Sequence, residues 1–231
     1  MSVEQLLFDL PRRTAQGRAE FFVSDANRDA LGLIDRWPHW PERRLALVGA
    51  EGSGKSHLAA VWAADTGARI VAARDLTPDD VPALQANGRV VVEGLDAIDG
   101  RAPAEEALFH MINLVAAEGE ALLLTARTPP AQARWHLPDL ASRLAASTMV
   151  ALQPPDDALL QAVLAKLFRD RQLTADDGVI PYLATRMERT LAAASRTVDM
   201  LDEAAMRGHK RLTARFAGRV LGWRDDPASR S

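Results

Sequence analysis

Cysteine is absent from this chain of 231 residues, and the absence limits its chemistry. Without thiols the chain can form neither a disulfide framework nor a thiolate metal site. The histidines do not suggest a metal site either, because they are scattered without the spacing of metal ligands. They are His39, His57, His110, His136 and His209.

Long apolar runs and an excess of charge of one sign are missing as well. No run approaches the roughly eighteen apolar residues of a membrane span. The start of the chain lacks the basic residues and the apolar stretch of a signal peptide. We therefore expect a cytoplasmic protein with no membrane partner. The net charge of −3, from 28 basic and 31 acidic residues, argues against a protein that coats nucleic acid.

A complete phosphate-binding motif, G-x-x-x-x-G-K-[ST], occupies residues 49–56. The apolar run before it, Leu45–Val48, predicts a buried strand, and the residues after it predict a helix. In that context backbone N–H groups and the helix N-terminus can point at phosphates. Lys55 would reach the β- and γ-phosphates, and the Ser56 hydroxyl would ligate Mg²⁺. The chain is therefore expected to bind a nucleoside triphosphate or diphosphate with Mg²⁺, and the other candidate binding residues in this segment are Gly49, Glu51, Gly52, Ser53, Gly54 and His57.

The chain divides into three parts by pattern. Residues 1–20 form a mostly polar arm, residues 21–153 alternate apolar strands with helices, and residues 154–231 are helical only. Near-continuous apolar strands separated by helices predict a parallel sheet covered on both faces. We predict an α/β fold, a five-stranded parallel sheet between helices, followed by a small helical lid. The predicted strands are Leu45–Val48, Arg69–Ala73, Val90–Glu93, Ala121–Thr125 and Met149–Leu152.

Helix positions follow from apolar periodicity and capping signals. The sheet part includes a predicted helix over 104–118, and the lid has helices over 156–171, 189–207 and 213–221. The segment Thr174-Ala175-Asp176-Asp177 matches a capping box and predicts that a further lid helix begins there.

Further polar residues at strand ends suggest phosphate chemistry. Glu93 ends an apolar strand and is the candidate to hold Mg²⁺ through water. Many ATPases have a second acid directly after it, but this chain has Gly94, so we expect weak intrinsic hydrolysis; Asp96 lies two residues on. Thr125 ends another buried strand and either senses the γ-phosphate or is uninvolved. Arg143 either completes the nucleotide site of a neighbouring subunit or is an ordinary surface arginine.

Together these segments resemble the AAA+ ATPases, and among them the replication initiator DnaA and its short regulatory paralogues. Asp139–Leu144 matches the arginine-finger box of the family, which implies that Arg143 acts in trans. Residues 22–27 look like the segment that leads to the adenine pocket, with Phe22, Val23 and Asn27 as the candidate contacts. Arg189 falls at the position of the sensor 2 arginine, and residues 197–202 are also similar to the short paralogues.

Two features favour a short regulatory paralogue over an initiator. The chain ends soon after Trp223, which leaves no room for a helix-turn-helix domain. Residues 5–10 resemble the peptide with which such paralogues dock on the β sliding clamp of DNA polymerase. A short apolar peptide with one glutamine can order in a pocket on binding. The candidate clamp contacts are Gln5, Leu6, Phe8 and Leu10.

The resemblance implies a negative regulator of replication initiation. It would hold ADP, reach DNA only through the clamp, and stimulate hydrolysis of the ATP bound to DnaA. Gly94 fits this role, since such a protein gains nothing by hydrolysing its own nucleotide. Two alternatives remain open: a self-sufficient AAA+ ATPase that acts as an adaptor or loader, and a binding module with a vestigial site. The sequence also leaves homo-oligomer formation open.

Overall fold

Five parallel strands form the sheet of the protein, in the order β2-β3-β4-β1-β5. The computed structural model describes residues 22–85, 88–208 and 211–223. The predicted α/β fold is confirmed, and each predicted strand is present with its ends shifted by one residue at most. The strands are β1 (Arg44–Val48), β2 (Arg69–Ala72), β3 (Val90–Glu93), β4 (Leu122–Ala126) and β5 (Thr148–Ala151).

Burial follows strand position. β1 and β4 lie in the interior of the sheet and are buried along their whole length. The strands at the two edges, β2 and β5, are partly exposed, and Ile70 and Met149 each expose more than two fifths of their surface. This gradient explains why the interior strands are the most apolar in sequence, since both of their faces are covered.

Helices cover both faces of the sheet, and a separate group packs beyond it. Side chains of α4 and α5 pack in the core on one face, and those of α1 and α2 pack on the other. The helices α6 to α9 bury a third cluster among themselves. The helices are α1 (Arg28–Ile34), α2 (Lys55–Thr66), α3 (Val81–Gln85), α4 (Ala102–Ala117), α5 (Pro138–Ala145), α6 (Asp157–Asp170), α7 (Val179–Arg186), α8 (Leu191–Gly208) and α9 (Ala214–Val220).

Within the described residues, none of these helices combines the length and the apolar character that crossing a membrane requires.

The predicted capping box at residues 174–177 is wrong. α7 begins at Val179, and its first turn has no side-chain cap. The backbone around Ala175 instead forms a parallel bridge to Leu212, in which the Leu212 N–H donates to the Thr174 carbonyl at 3.1 Å. The Asp176 N–H donates back to the Leu212 carbonyl at 2.9 Å. This pairing partner is distant in sequence, so a local pattern could not reveal it.

Asp156 lies between the sheet and the helical group α6 to α9, which we call the lid. Its carboxylate accepts a hydrogen bond from the Leu159 N–H at 2.7 Å and so caps α6. Burial opposes its ionisation and is the largest influence on its pKa. Hydrogen bonds from Leu159, Ser24 and Ala26 and the charge of Arg189 outweigh burial and hold the pKa of Asp156 below its usual value. Three parts of the chain therefore meet at one carboxylate.

We expect Asp156→Ala to lower the free energy of unfolding by about 1 kcal/mol at pH 7, the usual cost of a lost N-cap. A carboxyl group with a depressed native pKa stabilises fully above its unfolded pKa of about 3.9. That stabilisation disappears as the pH falls through the native pKa, so the difference between variant and wild type should shrink there. Urea titrations at several pH values measure it. The control is Asp177→Ala, at an exposed position outside any cap, and an equal loss in both variants would contradict the assignment.

Candidate nucleotide site

The phosphate loop lies between β1 and α2, as the motif predicts. Gly52 has φ +74°, a conformation that a residue with a side chain adopts only at a cost. Lys55 bends over the loop, where its Nζ donates to the carbonyls of Gly49 at 2.7 Å and Ala50 at 2.8 Å. Burial lowers the pKa of Lys55. The nearby acids, of which Asp96 has the largest effect, act in the opposite direction and raise it. These carbonyl contacts leave the ammonium group at the centre of the loop.

Two further groups of the loop suit a nucleotide with its metal ion. Ser56 is exposed in the first turn of α2, where its hydroxyl can reach a bound cation. The hydroxyl of Ser53 is buried and has no hydrogen-bond partner among the described residues. An unpaired buried hydroxyl is costly, so it points to a polar ligand at the loop.

The sheet order brings the predicted strand-end residues together. β4 lies between β1 and β3, so Thr125 falls between the phosphate loop and Glu93. The Oε1 atom of Glu93 is buried and has no hydrogen-bond partner in the described part of the chain. A carboxylate in this position fits a hydrated Mg²⁺, and Glu93 and Ser56 are the residues that would hold it. The residues present therefore fit a nucleotide bound with Mg²⁺.

Thr125 and Asp96 are both engaged in holding neighbouring backbone. The Thr125 hydroxyl accepts the Gly94 N–H at 2.9 Å, and Gly94 has φ +75°. An acidic side chain at Gly94 would have space but would adopt a left-handed backbone at a cost of roughly 1–2 kcal/mol. Asp96 accepts the N–H groups of Arg127 at 2.6 Å and Thr128 at 3.3 Å. Its carboxylate thus shapes the loop after β4 instead of standing free beside a reacting water.

Residues 22–27, the first described residues, form a turn close to the linker to the lid. Asn27 uses its side chain internally: Oδ1 accepts the Ser24 N–H, and Nδ2 donates to the Phe22 carbonyl. The Ala26 carbonyl accepts the Gln153 N–H at 3.2 Å and so fixes this turn to the linker. Phe22 and Val23 each leave 45% of their surface exposed. They are the apolar side chains of this turn that can contact a base, while Asn27 positions the turn.

The start of α8 contacts the phosphate loop directly. The Leu191 N–H donates to the Gly52 carbonyl at 3.1 Å, and a Cβ added at Gly52 would lie 2.5 Å from the Cβ of Thr190. Arg189 comes just before this contact, and its Nη1 lies 2.8 Å from Oδ1 of Asp157 in α6. The structure thus places Arg189 beside the loop residues but paired with the lid.

His57 lies in the first turn of α2. Burial, and secondarily the charge of Lys166 in α6, lowers the pKa of His57. The imidazole is therefore neutral at physiological pH and does not add positive charge to the phosphate site.

Arg143 lies away from its own phosphate loop. Its carbonyl accepts a hydrogen bond from Arg44 at 3.3 Å. Arg44 is the first residue of β1, at the end of the strand opposite the phosphate loop. The guanidinium lies over the ring of Phe109, 5.6 Å from its centroid. A cavity of about 450 Å³ opens there, lined by Glu42, Arg44, Phe109, Asp139, Ser142, Arg143 and Ala146. Arg143 therefore lies at the opposite end of β1 from its own phosphate loop.

The candidate clamp residues Gln5, Leu6, Phe8 and Leu10 lie outside the described residues. Sequence patterns missed other contributors to the site, because their roles depend on contacts between distant segments. Asp156, Thr190 and Leu191 are examples. Of these three residues, only Asp156 had a local signal in the sequence: it is a possible helix cap that follows two prolines.

No protein-family model matches the chain. Among solved structures it is similar to domain III of the replication initiation protein DnaA from Thermotoga maritima, with 16% identity, a TM-score of 0.76, and coverage of 90% of this chain and 95% of that one. It is similar to AMPPCP-bound DnaA from Aquifex aeolicus at 16% identity and a TM-score of 0.64, covering 81% of this chain and 65% of that chain.

The Holliday junction branch migration motor RuvB from Thermotoga maritima matches at 16% identity and a TM-score of 0.71. This match covers 90% of the chain and 71% of RuvB. These similarities define the class: the protein has the AAA+ fold. Within that class its architecture is DnaA-like, since DnaA domain III superposes over nearly its whole length.

We expect Glu93→Gln to weaken Mg²⁺ binding to the nucleotide complex by about 10- to 100-fold, the usual effect of removing an outer-shell ligand. Nucleotide affinity in EDTA should stay unchanged, because Lys55 and the loop backbone remain. Titration with a fluorescent ADP analogue at varied Mg²⁺ measures both quantities. The control is Glu106→Gln, an exposed glutamate of α4. Equal Mg²⁺ dependence in wild type and Glu93→Gln would remove Glu93 from the metal site.

Proposed function

We propose that this protein is a regulatory inactivator of DnaA, of the Hda type. It holds ADP in its phosphate loop, binds the β sliding clamp, and stimulates hydrolysis of the ATP bound to DnaA by inserting Arg143 beside that nucleotide. The observation that carries the proposal is the separation of Arg143 from its own phosphate loop by the length of β1. An arginine so located can neutralise transition-state charge only on another subunit.

The surroundings of Arg143 support an intermolecular role. The guanidinium rests over Phe109 and borders an open cavity, so it is held by an aromatic face and not by an ion pair within the described residues. A cation–π contact at an exposed site is worth about 0.5–1 kcal/mol, which a bidentate bond to phosphate oxygens can replace. Because the fold of this protein is DnaA-like, we take DnaA, which has the same architecture, as the partner.

The residues of the nucleotide site favour a protein that keeps ADP bound over one that repeatedly hydrolyses ATP. Gly94 supplies no acid, and Asp96 is engaged with the backbone of residues 127–128. The rival function is a self-sufficient AAA+ adaptor or loader, favoured by the closeness of Asp96 to Lys55. Substantial ATPase activity of the isolated protein, lost in Asp96→Asn, would favour that rival.

We expect Arg143→Ala to abolish stimulation of DnaA ATP hydrolysis, because an arginine finger contributes about 10³- to 10⁵-fold to the rate. The measurement follows labelled ATP on DnaA in the presence of clamp loaded on DNA, with and without this protein. Arg134→Ala, in the exposed loop before α5, is the matched control and should act like wild type. Persistent stimulation by Arg143→Ala would refute the finger assignment, and no stimulation by wild type would refute the proposed function.

We expect Gln5→Ala to abolish clamp binding and, with it, the clamp-dependent part of the stimulation. The short apolar peptide of residues 5–10 has one glutamine to fill a polar pocket, and the rest of the chain offers no second copy of the pattern. Surface plasmon resonance with immobilised clamp measures the affinity. Gln16→Ala, in the same arm but outside the peptide, is the control. Unchanged clamp affinity in Gln5→Ala would show that the arm is not the docking segment.

A further inference from the structure

The helix that presents Arg143 is fixed at its beginning by a buried carboxylate. Glu105, in α4, has no exposed surface. Its Oε2 accepts the N–H groups of His136 at 2.8 Å and Leu137 at 3.1 Å, directly before α5. Its Oε1 accepts the Gly100 N–H at 3.1 Å. The carboxylate is thus satisfied by backbone donors, and it sets where α5 begins.

The same helix is fixed at its end by a buried guanidinium. Arg44, at the start of β1, exposes only 2% of its surface. Its Nη2 donates to the carbonyl of Arg143 at 3.3 Å, and its Nε donates to the Ser147 hydroxyl at 3.2 Å. The Ser147 hydroxyl in turn donates to the Arg143 carbonyl at 3.1 Å. Two donors, the Arg44 Nη2 and the Ser147 hydroxyl, therefore converge on the backbone carbonyl of the residue that bears the proposed finger.

This arrangement is expensive in stability. Among the described residues no carboxylate lies within ion-pair distance of Arg44, and its Nη1 has no hydrogen-bond partner. Burial is the main cause of a lowered pKa for Arg44, opposed by Glu42 and reinforced by the charge of Arg143. A buried, incompletely paired charge is often less stable than an apolar residue of similar size.

We propose that Arg44 is a positioning residue for Arg143: it holds the last turn of α5 so that the Arg143 guanidinium stays over Phe109 and directed towards the partner's nucleotide. This inference rests on the proposed function. It goes beyond it by assigning part of the stimulation to a residue that touches neither the nucleotide nor the partner. The planar fork of arginine serves two acceptors at once, which a lysine cannot do.

The test is Arg44→Met, which keeps an unbranched apolar side chain and removes the buried charge. We expect the maximal stimulated rate of DnaA ATP hydrolysis to fall about 10- to 100-fold, as misplacing a catalytic group does. The concentration of protein for half-maximal stimulation and the affinity for ADP should stay unchanged. Arg44→Lys should restore little, and Arg69→Met is the matched control, because Arg69 opens β2 as Arg44 opens β1.

A double variant separates positioning from a general structural role. If Arg44 acts on Arg143 through the network it shares with Ser147, then the loss in the double variant Arg44→Met with Ser147→Ala is smaller than the sum of the two single losses. Additive losses would overturn the proposal. So would a lower melting temperature of Arg44→Met that by itself accounts for the lower rate, because the variant would then be partly unfolded. Should Arg44→Met fold poorly, Ser147→Ala removes one acceptor of the same network and should lower the maximal rate in the same direction.

A readout without DnaA distinguishes failure of this inference from failure of the proposed function. Side-chain ¹⁵N NMR of arginine Nε–H groups should show Arg143 ordered in the wild type and mobile in Arg44→Met. An Arg143 signal equally ordered in both proteins would overturn the positioning role, even if wild type stimulates DnaA. Loss of order in the variant, with no stimulation by wild type, would support Arg44 as the anchor while refuting the proposed function.

Discussion

The order of the parallel strands is the constraint on which the candidate site depends. Because β4 lies between β1 and β3, the phosphate loop, Thr125 and Glu93 meet at the carboxyl ends of neighbouring strands. Arg44 and the end of α5 lie at the opposite, amino-terminal end of β1. Five residues of β1, about 15 Å of extended chain, separate the two ends. The phosphate loop therefore lies at one end of the strands and Arg143 at the other.

The lid is joined to the phosphate loop by backbone and side-chain contacts that a nucleotide would affect. Leu191 donates to the Gly52 carbonyl, Thr190 packs against the same glycine, and Asp156 links the lid helix α6 to the start of the described chain. A ligand that changes the loop conformation must therefore change the energy of the lid position. Such differential contacts are the physical requirement for a nucleotide to select one arrangement of two domains.

Buried charge is used here to hold backbone in place. Glu105 satisfies three N–H groups and Arg44 supplies donors to the end of the same helix, so both ends of α5 are fixed by residues of other elements. Neither interaction is a salt bridge between the two charges. A buried charge is often less stable than a buried apolar residue of similar size, which suggests that the position of α5 is the property being maintained.

Local patterns in the sequence determined the phosphate loop, the five strands to within one residue, and the identity of the strand-end acid, because these depend on residues adjacent in the chain. The helix start at residues 174–177 was wrong, since Leu212 binds that backbone instead. The roles of Glu105 and Arg44 could not be read from the sequence. Each acts on backbone groups brought to it by the fold, and only the tertiary structure decides which groups those are.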